Sequence, residues 1–133
     1  MRYERKYKIE DLSLDVVHQV IRNHPASFRM IFPDREVNNI YFDTPALSTY
    51  QDNVKGIGER RKFRVRWYGD KRNTSTKNNF EIKIKENELG RKEVYDFPLF
   101  DLKDWKKTAK EVNRISAKGL ALSPVLMLSL IHI

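Results

Sequence analysis

A chain of 133 residues has room for one hydrophobic core and hardly for two. Its 26 lysines and arginines against 18 acids give a formal net charge of +8, which suits an anionic partner such as phosphate, nucleic acid or a lipid surface. The absence of cysteine excludes thiolate chemistry, disulfides and Cys-containing zinc sites, and His18, His24 and His132 are too scattered for a histidine-based metal site.

The N-terminus is charged from Arg2 onward with no apolar run behind it, so it cannot serve as a secretory signal, and a cytoplasmic location is the default reading. Arg2 to Ile9 alternates, with Arg2, Glu4, Lys6 and Lys8 opposite Tyr3, Tyr7 and Ile9, which predicts a strand. Asp11 or Ser13 is placed to cap a helix running to about Asn23, with Leu14, Val17, Val20 and Ile21 at helical spacing and Pro25 beyond its end. Phe28 to Phe32 and Val37 to Phe42 read as strands flanking Pro33-Asp34, and Asp43-Thr44-Pro45 reads as a turn into a short helix near Ala46 to Asn53. Arg60 to Tyr68 alternates again, with Lys62, Arg64, Arg66 and Tyr68 opposite Arg61, Phe63, Val65 and Trp67. Gly69 to Asn79 has the polar make-up of a loop, and Phe80 to Lys85 places Phe80, Ile82 and Ile84 opposite Glu81, Lys83 and Lys85. Glu88-Leu89-Gly90 reads as a hairpin turn into a strand from Lys92 to Phe97. Asp101 to Lys118 has helical spacing, and Leu120 to Ile133 is shorter than the roughly 20 residues of a membrane-spanning helix and contains Pro124, so no membrane segment is expected.

Three of these strands carry ionic side chains on one face and apolar or aromatic ones on the other. An ordinary antiparallel sheet with a solvated face shows the same alternation. The sign of the charge is what differs here: Lys6, Arg64, Arg66, Lys83, Lys85 and Lys92 outnumber the acids and repel one another unless an anion sits between them. Glu4 and Glu81 either pair with these cations or hold a divalent metal. Tyr41, Phe42, Trp67 and Trp105 read as core rather than as a base-stacking platform, Asp43 as a turn cap rather than a catalytic acid, and His18 as a surface residue of an amphipathic helix.

Arg2-Tyr-Glu-Arg-Lys-Tyr, Tyr41-Phe-Asp-Thr-Pro, Lys62-Phe-Arg-Val-Arg-Trp-Tyr-Gly and Phe80-Glu-Ile-Lys-Ile-Lys occur in an order that resembles the VTC-like polyphosphate polymerase domains of the CYTH-like triphosphate tunnel metalloenzyme superfamily. Glu4 and Lys6 look like the tail of that superfamily's opening Glu-x-Glu-x-Lys motif. Arg2 stands where its first Glu would be, which favours the VTC-like branch. The resemblance implies an α+β, mainly antiparallel chain forming about half of an eight-stranded tunnel with flanking helices. It also implies transfer of the terminal phosphoryl group of ATP or another nucleoside triphosphate to polyphosphate, with manganese or magnesium as cofactor. Lys6, Arg64, Arg66 and Lys83 would be the catalytic, phosphate-binding residues, joined by Lys85 and Lys92, with Glu4 and Glu81 as the metal candidates and no specific nucleic acid as partner.

Leu122-Ser-Pro-Val-Leu-Met is similar to the family's Thr-Pro strand, and the Tyr-x-Arg segment expected after it is absent. Residues 1–127 are therefore expected to be the N-terminal part of such a domain, inactive alone. Residues 128–133, Leu-Ser-Leu-Ile-His-Ile, resemble a translated sequencing-adapter end and are expected to be a non-native tail. A triphosphate hydrolase of the same superfamily and a non-catalytic module binding polyphosphate or nucleic acid are the alternative functions.

Overall fold

The computed structural model describes residues 8–30, 33–70, 77–87, 89–116 and 119–132, and the chain divides into two compact units, Met1–Pro33 and Asp34–Ile133. In the first unit, helix α1 (Leu14–Arg22) starts where Ser13 holds an extended backbone and its Oγ accepts a hydrogen bond from the Val16 amide at 3.4 Å. That side chain satisfies one of the amides a helix start leaves without an intrahelical partner. His18 lies on this helix, half-buried, and Leu14, Val16, Val20 and Ile21 are exposed. Phe28, Arg29 and Met30 form no strand, contrary to expectation; Ser27 just before them adopts a left-handed backbone, φ 49°, which interrupts an extended run. The strand expected at Arg2 to Ile9, with Glu4 and Lys6, falls almost wholly outside the described residues.

The second unit is α+β. Its strands are β1 (Arg35–Asp43), β2 (Glu59–Tyr68), β3 (Asn78–Glu86), β4 (Leu89–Phe97) and β5 (Ser123–His132), and its helices are α2 (Ser48–Val54) and α3 (Trp105–Ser116). Among the described residues the sheet is antiparallel throughout the order β4-β3-β2-β1-β5 and is not closed, with β4 and β5 at its edges. Leu128 to His132 form the second half of β5 and pair with Asn39 to Arg35. A register shift between Tyr41 and Phe42 falls where β1 meets Pro124, which brings no amide to the ladder.

Period-two patterning assigns the faces. Ile40 and Phe42 of β1, Phe63, Val65 and Trp67 of β2, Phe80, Ile82 and Ile84 of β3 and Phe97 of β4 form the core, closed by Ala109 and Val112 of α3 and by Leu122. The Phe100 ring makes edge-to-face contacts with Trp67 and with Phe97, ring centroids 5.4 and 5.7 Å apart respectively. The Asn113 side chain fastens α3 to the next segment by donating to the Leu122 carbonyl at 2.9 Å and accepting from its amide at 2.8 Å. Helix α3 begins later than the sequence suggests because Asp101 and Asp104 both act locally. Asp101 closes a turn by accepting from the Lys103 amide at 2.8 Å, and Asp104 then accepts from Lys107 at 3.1 Å as the helix cap. The β3–β4 turn is also tighter than expected. Leu89 pairs with Glu86 and Gly90 with Lys85, and Asn87 takes the left-handed backbone, φ 56°, that a short hairpin loop requires.

Two of the four aromatic assignments need correction. Phe42 and Trp67 are buried, but Trp105 is 52% exposed at the first position of α3, where Lys106 Nζ lies 5.7 Å from its ring. Tyr41 is half-buried on the sheet face away from the core, directly opposite Arg64. Its parity with Asn39 rather than with Ile40 and Phe42 places it there. No helix among the described residues is long and apolar enough to cross a membrane.

Candidate functional site

The face of the sheet opposite the core carries the cations. β2 contributes Arg60, Lys62, Arg64 and Arg66 at alternate positions because Phe63, Val65 and Trp67 between them are drawn into the core. In β3 the same division sends Phe80, Ile82 and Ile84 inward and leaves Glu81, Lys83 and Lys85 beside the β2 cations. The register sets out rows across the strands: Arg60 opposite Lys85, then Lys62 opposite Lys83 opposite Lys92, then Tyr41 opposite Arg64 opposite Glu81, then Asn39 opposite Arg66 opposite Asn79.

Glu81 sits at the centre with its side chain only 5% exposed. Its Oε2 accepts from Arg64 Nε at 2.6 Å and lies 2.5 Å from Arg64 Nη2, and its Oε1 accepts from Lys92 Nζ at 3.1 Å. Burial alone raises the pKa of this carboxyl. The hydrogen bond and charge of Arg64, the bond from Lys92 and the charge of Arg66 outweigh burial and hold it below the ordinary glutamate value. Glu81 therefore stays ionised near neutral pH and locks Arg64 against the sheet.

Among the described residues, the row on the Lys62 side of Arg64 contains no carboxylate. Lys62, Lys83 and Lys92 stand side by side, and among the described residues only Lys92 of the three reaches a carboxylate. Like charges directly opposite one another on a sheet destabilise it, and a multivalent anion lying across them converts that repulsion into attraction. Arg66 donates Nε to the side-chain oxygen of Asn39 at 2.8 Å and makes no ion pair within the described residues. Of the predicted site residues, the structure thus brings together Arg64, Arg66, Lys83, Lys85 and Lys92 with Glu81, whereas Lys6 and Glu4 lie outside the described residues.

Both Glu81 oxygens are engaged by cations, and no group of three His, Asp or Glu side chains converges among the described residues. The described residues therefore do not fit a resident metal. Sequence reasoning missed Asn39, although an asparagine pair inside an otherwise strand-like run is a legible departure, since Asn is depleted in strands. It also placed Tyr41 on the wrong face.

Asp43 acts as the predicted cap. Its Oδ1 accepts from the Thr44 and Thr49 amides at 2.7 and 3.0 Å, and its Oδ2 accepts from the Tyr50 amide at 3.0 Å, so it serves the first turn of α2. Burial opposes its charge, but these bonds prevail and lower its pKa. A cavity of about 230 Å³ is lined by Ser48, Thr49, Asp52, Glu59, Arg61, Phe63 and Leu120 and contains none of the cation rows.

The sheet thus buries one face and sets lysines and arginines in register on the other. The sequence matches the VTC domain family over residues 1–122, and the chain belongs to that family, which connects it to polyphosphate-related function. No curated protein matches the chain.

Proposed function

We propose that this chain supplies the phosphate-binding half of a polyphosphate polymerase. In this reading the β4-β3-β2-β1-β5 sheet is about half of an eight-stranded tunnel whose basic face points inward, and residues 1–127 are the N-terminal part of the domain. The observation that carries the proposal is the row Lys62, Lys83, Lys92 beside Arg66, cations held in register with a single buried carboxylate between them. Phosphates spaced along a chain match side chains spaced along strands.

In the reaction, a terminal oxygen of the growing chain attacks the γ-phosphorus of the nucleotide. The bond from that phosphorus to the β–γ bridging oxygen breaks, and nucleoside diphosphate leaves with the bond's electrons. Such transfer needs alignment and charge neutralisation more than covalent help from the protein. Arg66 offers a forked set of donors and Lys83 a compact charge, while Arg64, held by Glu81, is pre-oriented. Manganese or magnesium bound to the nucleotide would offset the negative charge of its phosphates.

The test is polyphosphate formation from ATP and manganese by the complete domain, followed on gels, for wild type, Arg64→Ala and Arg66→Ala. Polymer lost in both variants is the expected result. Orthophosphate release without polymer would instead establish the hydrolase, and phosphate binding without turnover would establish the binding module.

A further inference from the structure

Two arginines two residues apart on one strand are held in chemically different ways. Arg64 points Nε and Nη2 at a carboxylate, whereas Arg66 points Nε alone at Asn39, a neutral acceptor. Asn39 is only 1% exposed in the middle of β1, where burying an amide is costly unless its polar atoms are used. A guanidinium has only donors, so the side-chain oxygen of Asn39 must face Arg66 and its amide nitrogen must face away. That nitrogen has no hydrogen-bond partner among the described residues, and neither do the two terminal nitrogens of Arg66.

We infer that Asn39 is a positioning residue, one that fixes the Arg66 fork without neutralising it and leaves the Asn39 amide as an extra donor beside it. The inference rests on the reading of this face as a phosphate site, and it goes further in assigning a role to a residue that carries no charge. A carboxylate at position 39 would hold the arginine equally well but cancel its charge; an amide holds it and leaves the charge for the ligand. The two pairings differ along β2: Glu81 offsets part of the charge of Arg64 while orienting it, whereas Asn39 leaves the charge of Arg66 whole for the anion.

Calorimetric titration of this chain with inorganic triphosphate at fixed salt tests the inference, because phosphate affinities are salt-dependent. Asn39→Ala is expected to weaken binding about fivefold in the wild-type background and less than about twofold when Arg66 is already Gln, since its effect runs through that side chain. Asn39→Asp, nearly isosteric, is expected to weaken binding by about tenfold or more because the new carboxylate pairs with Arg66. Equal losses from Asn39→Ala in both backgrounds, or unchanged affinity in Asn39→Asp, would overturn the inference while leaving the phosphate site intact. No binding by the wild-type chain would overturn the phosphate reading itself and the inference with it. Should the Asn39 variants fail to fold, the wild-type nitrogen-15 spectrum serves instead. The Arg66 Nε–H resonance should be protected from exchange before ligand is added and should shift on addition of triphosphate; a signal that is unprotected or does not move refutes the assignment.

Discussion

Removing Arg64 should destabilise the sheet far more than removing Lys92, although both contact the same carboxylate. The Glu81 side chain is 5% exposed and that of Arg64 21%, whereas Lys92 is half exposed at 50%. Deleting one partner of a buried ion pair costs roughly 3–5 kcal/mol because the remaining charge is left in a poor solvent. Lys92, at 3.1 Å from the other Glu81 oxygen, retains part of the compensation. Arg64→Ala should therefore cost about 2–3 kcal/mol, less than the full penalty. Lys92→Ala removes a solvent-screened contact and should cost less than about 1 kcal/mol. For a unit the size of Asp34–Ile133, these losses lower the midpoint of thermal unfolding by roughly 10–20 °C and less than about 8 °C respectively. Circular dichroism melts without phosphate, at low and high salt, measure both. Combining Arg64→Met with Glu81→Leu should recover most of the loss, since an apolar pair replaces the buried ions without stranding either. Equal losses for the two single variants, or no recovery in the double variant, would refute this account of the centre of the face.

Acid should act through the same groups. Asp43 and Glu81 are held below their ordinary values of 3.8 and 4.5, so their contribution is complete above the unfolded values and lost as pH falls through the lowered folded ones. Melting midpoints should stay level between neutral pH and about pH 5 and fall below about pH 4.5, with a shallower fall in Glu81→Gln. Asp43→Ala removes the acceptor for the first turn of α2 and should cost about 2 kcal/mol, measured by urea unfolding. The two tryptophans provide an optical check on packing: Trp67 is fully buried and Trp105 is 52% exposed. Trp105→Phe should leave blue-shifted emission that acrylamide quenches poorly, and comparable quenching of the two indoles would contradict the placement of α3.

The central strands were legible because their two faces differ so sharply. In Lys62 to Tyr68 and Phe80 to Lys85 every inward residue is large and apolar and nearly every outward one is charged, so period two alone fixes strand and face together. Face assignment and the sign of the charge then group Arg64, Arg66, Lys83, Lys85 and Lys92 from the sequence alone. What could not be read was local chemistry that departs from the commonest residue for its job. Asn87 rather than a glycine makes the β3–β4 turn, and Asp104 rather than Asp101 caps α3. Trp105 looked like core because its spacing suits the helix, yet it stands at the first position of α3 and is half exposed. Asn39 escaped notice because an uncharged side chain gives no signal in a charge pattern, and its significance appears only when Arg66 is seen bonded to it.

The most direct test of the central claim is a titration of the chain with orthophosphate, pyrophosphate, triphosphate and longer polyphosphate, repeated with Arg66→Ala and Lys83→Ala. The cation rows require affinity to climb with each added phosphate until the rows are filled, and the climb to be blunted in both variants. An affinity indifferent to chain length, or unchanged by both substitutions, would contradict the assignment of this face as the polyphosphate site.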